Sequence, residues 1–394
     1  MTRAVYLVHS AQPSGAELSL VRKLQGAKLS QPEVVLAANG ELADLLRAAE
    51  VNVSVLPGPA GAMAVKRTGG SLTGRLRGML ALLGYGWRLG QHLRVRRADV
   101  VVATSIKALV YGTVAARRAG VPLIWSVHDR VARDYLGAAA VLVRLLGRFS
   151  PTAYIVNSQT TLSTVRTGAK PVLVLPPSVR LPSRVPGRDR SADPCVRLVV
   201  VGRFAHWKGQ DIFVKAFQEA LADSSAEAVV VGGPLFGEDD YYRSVRQLAL
   251  EGATKVRIRF TGHVPDASSY IANADVLVHA SRLPEPLGAV VIEGMAHGCA
   301  VIATEPGGPA EVITSGIDGL LVACGDVVAL GQAMLLLVQD GALRLRLGEA
   351  GRRRAEDFAV STIAPIAEDF VNGVGAGRRL PARVESVRLN PRHR

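Results

Sequence analysis

Seven short runs of aliphatic and β-branched residues recur along the first half of the chain: "AVYLVH", "EVVLAA", "VNVSVL", "DVVVAT", "LIWSVH", "AYIVNS" and "PVLVLP". Most are separated by segments of helix length, among them "GAELSLVRKLQGA" and "ALVYGTVAARRAG". A strand with one wet face alternates polar and apolar residues, whereas these runs are apolar almost throughout and must be covered on both faces. The intervening helices are the cover, so the pattern predicts a parallel, doubly wound α/β sheet. The second half repeats the scheme, with "RLVVVG", "AEAVVVGG", "RIRFTG", "ADVLVHAS", "AVIATE" and "GLLVAC" alternating with "GQDIFVKAFQEALA", "YYRSVRQLALEG", "AVVIEGMAHG" and "VVALGQAMLLLVQDG". Between the halves lies "PPSVRLPSRVPGRDRSADP", which has no core-forming period and reads as a linker. The expected organisation is a first domain over 1–176, a linker over 177–195, a second domain over 196–357, a helix over 358–374 that crosses back to the first domain, and a basic disordered tail over 375–394.

A chain of 394 residues with 48% hydrophobic content can bury two cores of ordinary size, which excludes disorder throughout. No apolar run reaches the roughly 20 residues of a membrane span, and the opening "MTRAVYLVHS" has no signal-peptide cleavage pattern. A cytoplasmic location is expected. Cys195, Cys299 and Cys324 have neither metal-ligand spacing nor the even count of a disulfide framework, and read as small core or loop residues. The formal charge of +14 leaves three kinds of partner: nucleic acid, an anionic membrane surface, or a phosphorylated substrate. Aromatic residues are only 5% of the chain, and there is no zinc-finger spacing, helix-turn-helix signature or RNP-like strand, so nucleic acid is set aside. The tail "GRRLPARVESVRLNPRHR" carries part of the excess, either idly or as a membrane tether.

Open α/β sheets bind ligands beyond the carboxyl ends of their strands, and two such domains in tandem are expected to face each other across a cleft. Three strand-end loops carry chemistry. In "HSAQPSGAELSL", Gly15 opens a helix whose free amides and dipole favour an anion, unless it is there only for its backbone freedom. In "VVVGRFAHWKGQD", Gly202 turns the chain and presents Arg203 and Lys208, a planar donor fork and a point charge suited to a diphosphate. In "PEPLGAVVIEGMAHG", prolines stiffen the loop around Glu285, a helix begins near Leu287 or Gly288, and Glu293 follows inside it. The helix N-terminus suits a phosphate, which leaves sugar hydroxyls for Glu285 and a ribose for Glu293. The plainer reading makes Glu285 a solvated loop acid and Glu293 a surface residue of the helix.

With these motifs in order, the chain resembles the retaining glycosyltransferases of family 4, group 1, which have the GT-B fold of two tandem Rossmann-like domains. The resemblance rests on the glycine loop before "AELSL", the "HD" of "IWSVHD", "VGRF" with its following "KG", "EPLGAVVIEGMAHG" and "IATEPGGPAEVI", and it covers most of the chain. It implies that Gly15 approaches the donor diphosphate, that Arg203 and Lys208 neutralise it, that Glu293 binds the ribose, and that Glu285 lies beside the transferred sugar's hydroxyls. By the same resemblance, Gly202, Leu287 and Gly288 join the donor site, and His128 faces the reacting sugar from the first domain. The first loop departs from the family pattern in reading "PSGAE" where relatives often have two glycines, and "LVACGD" lacks a proline common before Asp326.

The resemblance further implies a hexosyltransferase that uses a UDP- or GDP-linked sugar. Departure of the diphosphate would be eased by cations and a helix dipole without a metal, in keeping with the lack of an Asp-x-Asp cluster. The acceptor is expected to be a glycan, a glycolipid or another lipid-linked species. The segments "RLRGMLALLGYGWRLGQHLRVRR" and "YLGAAAVLVRLLGRF" mix arginine with large apolar residues, either to meet an anionic membrane from its inner face or to pack on the sheet with their arginines in water. A small soluble metabolite is the alternative acceptor, and a nucleotide-sugar epimerase of the same architecture is the alternative activity.

Overall fold

The computed structural model describes residues 2–27, 32–59, 72–183, 195–235, 237–252 and 257–385. It divides into two compact units, one taking the chain up to Ser178 and again from Val360, the other taking Val179–Ala359.

The first unit holds an eight-stranded parallel sheet formed by β1 (Ala4–Val8), β2 (Glu33–Leu36), β3 (Asn52–Val55), β4 (Val100–Ala103), β5 (Leu123–Val127), β6 (Ala153–Val156), β7 (Val172–Val174) and β14 (Arg383–Glu385). Their order is β14-β7-β6-β5-β4-β1-β2-β3, so the winding reverses between β1 and β4. Every residue of β4, β5 and β6 is buried, as an all-apolar strand in a doubly covered sheet requires. The second unit holds a six-stranded parallel sheet of β8 (Arg197–Val201), β9 (Glu227–Val231), β10 (Ile258–Gly262), β11 (Val276–Val278), β12 (Ala300–Glu305) and β13 (Leu320–Ala323). Its order is β10-β9-β8-β11-β12-β13, with the reversal between β8 and β11. Leu198, Val200, Phe213, Phe217, Val276 and Ile302 anchor its core.

Polar caps set where the helices start. The Ser105 hydroxyl accepts from the Ala108 N–H at 3.1 Å ahead of helix Ile106–Ala119, and Asp326 and Asp340 do the same for helices Val327–Gln339 and Gly341–Ala355 at 2.9 and 2.8 Å. Each such cap is worth about 1 kcal/mol. Helix Val360–Gly375 belongs to the first unit, where a Cβ on Gly26 would stand only 2.7 Å from both Ala364 and Val360. Glycine lets that helix lie directly on Gly15–Gly26.

Two boundaries differ from the sequence reading. The stretch expected as a linker from residue 177 begins with packed structure, since Val179 is buried and its N–H donates to the Phe358 carbonyl at 2.9 Å. Residues 184–194 lie outside the described residues. The tail expected to be disordered from 375 instead adds β14 to the sheet edge, where the Val172 N–H donates to the Ala382 carbonyl at 3.1 Å. Edge pairing needs backbone groups and no apolar run, so a basic, proline-bearing segment supplies it. Residues 386–394 lie outside the description.

Candidate active site

In the second unit the reversal between β8 and β11 leaves a crevice at their carboxyl ends, and the two loops leaving these strands meet there. The loop after β8 carries Gly202 and Arg203, then a short 3-10 turn, His206–Lys208. Gly209 ends the turn with φ 68°, and a Cβ there would lie 2.0 Å from the Ala280 carbonyl oxygen. Only glycine allows that approach. A hydrogen bond from the Arg282 N–H to the Trp207 carbonyl, 2.8 Å, fastens the loops together.

This contact delivers Lys208 to Glu285. The Lys208 ammonium donates to Glu285 Oε1, while Oε2 meets His279 Nε2 at 2.5 Å and the Ser281 hydroxyl at 2.7 Å. His279 is buried at the end of β11, and its Nδ1 stands 3.2 Å from Thr304 Oγ1 on β12. The Gly308 N–H donates to the Glu285 carbonyl at 2.8 Å and fixes the backbone. Burial alone would raise the Glu285 pKa, but the Lys208 ammonium and His279 outweigh it and hold the carboxyl well below the usual carboxylate range. Glu285 is therefore a buried anion held by three protein donors, not a solvated loop acid.

Trp207 gathers the cations. The Arg203 guanidinium lies 5.5 Å and the Lys208 ammonium 4.5 Å from its ring centroid, within cation–π range. Gln210 Nε2 donates to the Arg203 carbonyl at 3.0 Å. Beside them, helix Ala289–Ala296 starts from Gly288, which has φ 78°, a left-handed conformation that favours glycine. Leu287 is buried. Glu293 lies within the helix, half-buried. Among the described residues, no group of three or more His, Cys, Asp or Glu side chains is arranged to hold a metal ion.

Gly15 and His128 belong to the first unit. A Cβ at Gly15 would meet nothing within 4 Å, so its backbone is open to close approach. The N-terminus of its helix already has a carboxylate, however: the Ser14 N–H donates to Glu17 Oε2 at 3.2 Å, and the Ser14 hydroxyl to the same oxygen. Any anion bound there competes with this capping box. Burial, foremost, raises the Glu17 pKa, and the bonds from Ser14 offset it only in part. His128 follows β5, pairs with the Ser126 hydroxyl at 3.0 Å, and lines a cavity with Tyr6, Lys23, Thr104 and Glu368. Burial and then the Lys23 ammonium push its imidazole down to about 3, so it is neutral at ordinary pH.

Two family models match separate stretches of the chain, the group 1 glycosyl transferases over residues 192–354 and glycosyltransferase family 4 over residues 39–181. Between them the two matches take in most of the chain and place it among the glycosyltransferases. Of the curated relatives, the lipopolysaccharide core biosynthesis glycosyltransferase LpsE of Rhizobium meliloti (strain 1021) is 32% identical over 41% of this chain and 45% of its own length. LpsD of the same strain, also named for lipopolysaccharide core biosynthesis, is 28% identical over 67% of this chain and 72% of its own. Thus the match to LpsE spans less than half of that relative. Among solved structures, Anabaena HepE in complex with UDP and glucose is 24% identical, covers 95% of this chain and 100% of its own, and superposes with a TM-score of 0.81. That likeness establishes the GT-B fold.

In this glycosyltransferase, Gly202, Arg203, Lys208, Glu285, Leu287, Gly288 and Glu293 all fall in one unit, as the order of their motifs requires. The sequence reading did not single out Trp207, His279, Ser281 or Thr304. Two signals were present: an indole between the bases of "AHWKG", and one imidazole closing the apolar run "ADVLV".

Proposed function

We propose that this glycosyltransferase moves a hexosyl group from a UDP- or GDP-linked sugar to a glycan or lipid-linked acceptor, with retention of configuration and without a metal. The observation that carries the reading is the pair Arg203 and Lys208, held on Trp207 at the β8/β11 crevice beside the N-terminus of helix Ala289–Ala296. Breaking the bond between an anomeric carbon and a phosphate oxygen leaves negative charge on the diphosphate. Two preset cations and a helix dipole stabilise that charge more as it grows, which is the condition for catalysis. Glu285 is engaged by Lys208, His279 and Ser281, so it serves the transition state as an electrostatic partner rather than as an attacking nucleophile. The departing phosphate then takes the acceptor's proton on the face it leaves. HepE, crystallised with UDP and glucose, supports the donor class, and the LpsE and LpsD names support an envelope glycan acceptor.

A second observation favours a lipid-linked acceptor reached at an anionic membrane. On helix Leu72–Val95 Leu80 and Trp87 are 60% and 59% exposed, and on helix Ala139–Phe149 Leu142 and Phe149 are each 69% exposed. Both helices pack on Ile106–Ala119, so these apolar stripes lie on the same side of the sheet. The guanidinium of Arg118 sits 3.8 Å over Trp87 and that of Arg148 5.6 Å from Phe149. Among the described residues no single helix is long and apolar enough to cross a membrane, so this would be peripheral contact.

The test is a panel of UDP- and GDP-sugars. The true donor should raise the melting temperature and be consumed in transfer, and Arg203→Ala should lower kcat by about 10²- to 10³-fold at saturating donor. Normal turnover by that variant would refute the mechanism. Isomerisation of a nucleotide sugar without acceptor would favour an epimerase, and transfer to water-soluble metabolites alone would remove the lipid-linked acceptor.

A further inference from the structure

The Lys208–Glu285 pair has a second layer that neither the family models nor the sequence motifs assign. Three donors converge on one buried carboxylate, and the one that enters from the sheet side is His279. Its two ring nitrogens have complementary neighbours. Nε2 faces a carboxylate oxygen, which only accepts, so Nε2 carries a proton; Nδ1 faces the Thr304 hydroxyl at 3.2 Å, which can donate, with the Thr304 N–H farther off at 3.5 Å. An imidazole with its proton on Nε2 satisfies both contacts at once. Ser281 closes the triangle, 3.1 Å from Nε2 and 2.7 Å from Glu285 Oε2.

We propose that His279 is a positioning residue: pinned by Thr304, it fixes the Glu285 carboxylate, and through Glu285 it aims the Lys208 ammonium. Buried donors held by a supporting shell keep a charged group in its productive geometry, and a carboxylate that loses one donor can rotate toward another partner. Without His279 the Glu285 carboxylate loses a bond that fixes Oε2 and is freer to rotate, so Lys208 is paired for only part of the time and is no longer held in one direction. The role of Lys208 in turnover rests on the activity proposed above, but the geometry of the pair does not.

The experiment therefore has two arms, on the full chain and its His279→Met, His279→Gln and Thr304→Val variants. In the first arm, acetylation of Lys208 by a soluble active ester is followed by mass spectrometry, with no substrate present. His279→Met should label several-fold faster than the native protein and Thr304→Val slightly faster, while His279→Gln, whose amide can still donate to Glu285, should label at close to the native rate. Equal labelling of the native and His279→Met proteins, once circular dichroism shows both folded, would overturn the proposal. If His279→Met fails to fold, the other two variants decide: faster labelling by His279→Gln, or no change in Thr304→Val, overturns it. In the second arm, turnover with the donor found above should show kcat reduced about 10- to 100-fold by His279→Met, KM little changed, and most of the loss recovered by His279→Gln. The effect of His279→Met should largely vanish in a Glu285→Gln background, because both substitutions break the same link. Additive losses would mean that His279 acts elsewhere. A native protein that shows the expected labelling pattern but neither binds nor turns over a nucleotide sugar would refute the activity and leave the positioning role standing.

Discussion

Read along the chain, Lys208 and Glu285 are 77 residues apart and each is assigned a ligand of its own, a diphosphate for one and sugar hydroxyls for the other. In the fold they are each other's partner, with side chains only 17% and 8% exposed. Removing one member of a buried ion pair leaves the other uncompensated and costs about 3–5 kcal/mol. Glu285→Gln is therefore expected to melt well below the native protein at neutral pH. The pH dependence follows from the depressed carboxyl. A group whose pKa is lower folded than unfolded contributes stability that is fully present above the unfolded value, roughly 4.3 for glutamate, and is lost as pH falls through the folded value. The gap in melting temperature between the native protein and Glu285→Gln should be widest near pH 6–7 and narrow steadily below about pH 4. A gap that stayed constant down to pH 3 would show that Glu285 is not ionised by its neighbours. This pairing was illegible in the sequence, because a run of residues shows which charges exist but not which of them the loops bring together.

At the scale of elements the apolar runs were a sufficient guide to the strands, since a strand covered on both faces has no polar alternation to confuse the reading. Two elements escaped it for opposite reasons. Helix Gly341–Ala355 contains "LRLRL" near its start, which has the period of a strand, yet Leu347, Gly351 and Ala355 are buried at helical spacing and Asp340 caps its start. Strand β14 has no apolar run, because it lies at an edge and contributes backbone alone. The loop between β8 and helix Gln210–Ala220 was legible in its charges and not in its geometry, which depends on Gly209. Gly209→Ala forces a side chain into a left-handed conformation and against the Ala280 carbonyl, at a cost of about 2 kcal/mol or more. Because that contact brings Lys208 to Glu285, the variant should also lose donor affinity. Urea unfolding and donor titration on one preparation check both. A lower midpoint with unchanged donor affinity would mean that the loop contact serves the fold alone.

For the molecule as a whole, the formal charge of +14 leaves membrane and phosphorylated substrate as rival partners, and the surfaces proposed for the two belong to different units. Arg203 and Lys208, the cations proposed to meet the diphosphate, sit at the β8/β11 crevice, whereas the exposed apolar stripes with their arginines lie on the first unit. Sequence period alone left those stripes open between core and surface, since helix Leu72–Val95 is apolar on two faces. Tyr85, Leu89 and Leu93 are buried while Leu80 and Trp87 are exposed, and only the packing shows which face is spare. A peripheral surface of this kind combines apolar insertion with attraction to anionic headgroups, and the second term is screened over about 8 Å at physiological salt. The native protein should therefore sediment with phosphatidylglycerol vesicles more than with phosphatidylcholine vesicles, and less as salt rises. Leu142→Asp with Phe149→Asp removes two exposed apolar anchors without touching the core, so folding should hold while vesicle affinity drops about ten-fold or more. Transfer to a water-soluble acceptor fragment should survive the double substitution, because the crevice cations are untouched. Equal sedimentation of native and doubly substituted protein would remove the membrane from the mechanism and leave the stripes as ordinary surface.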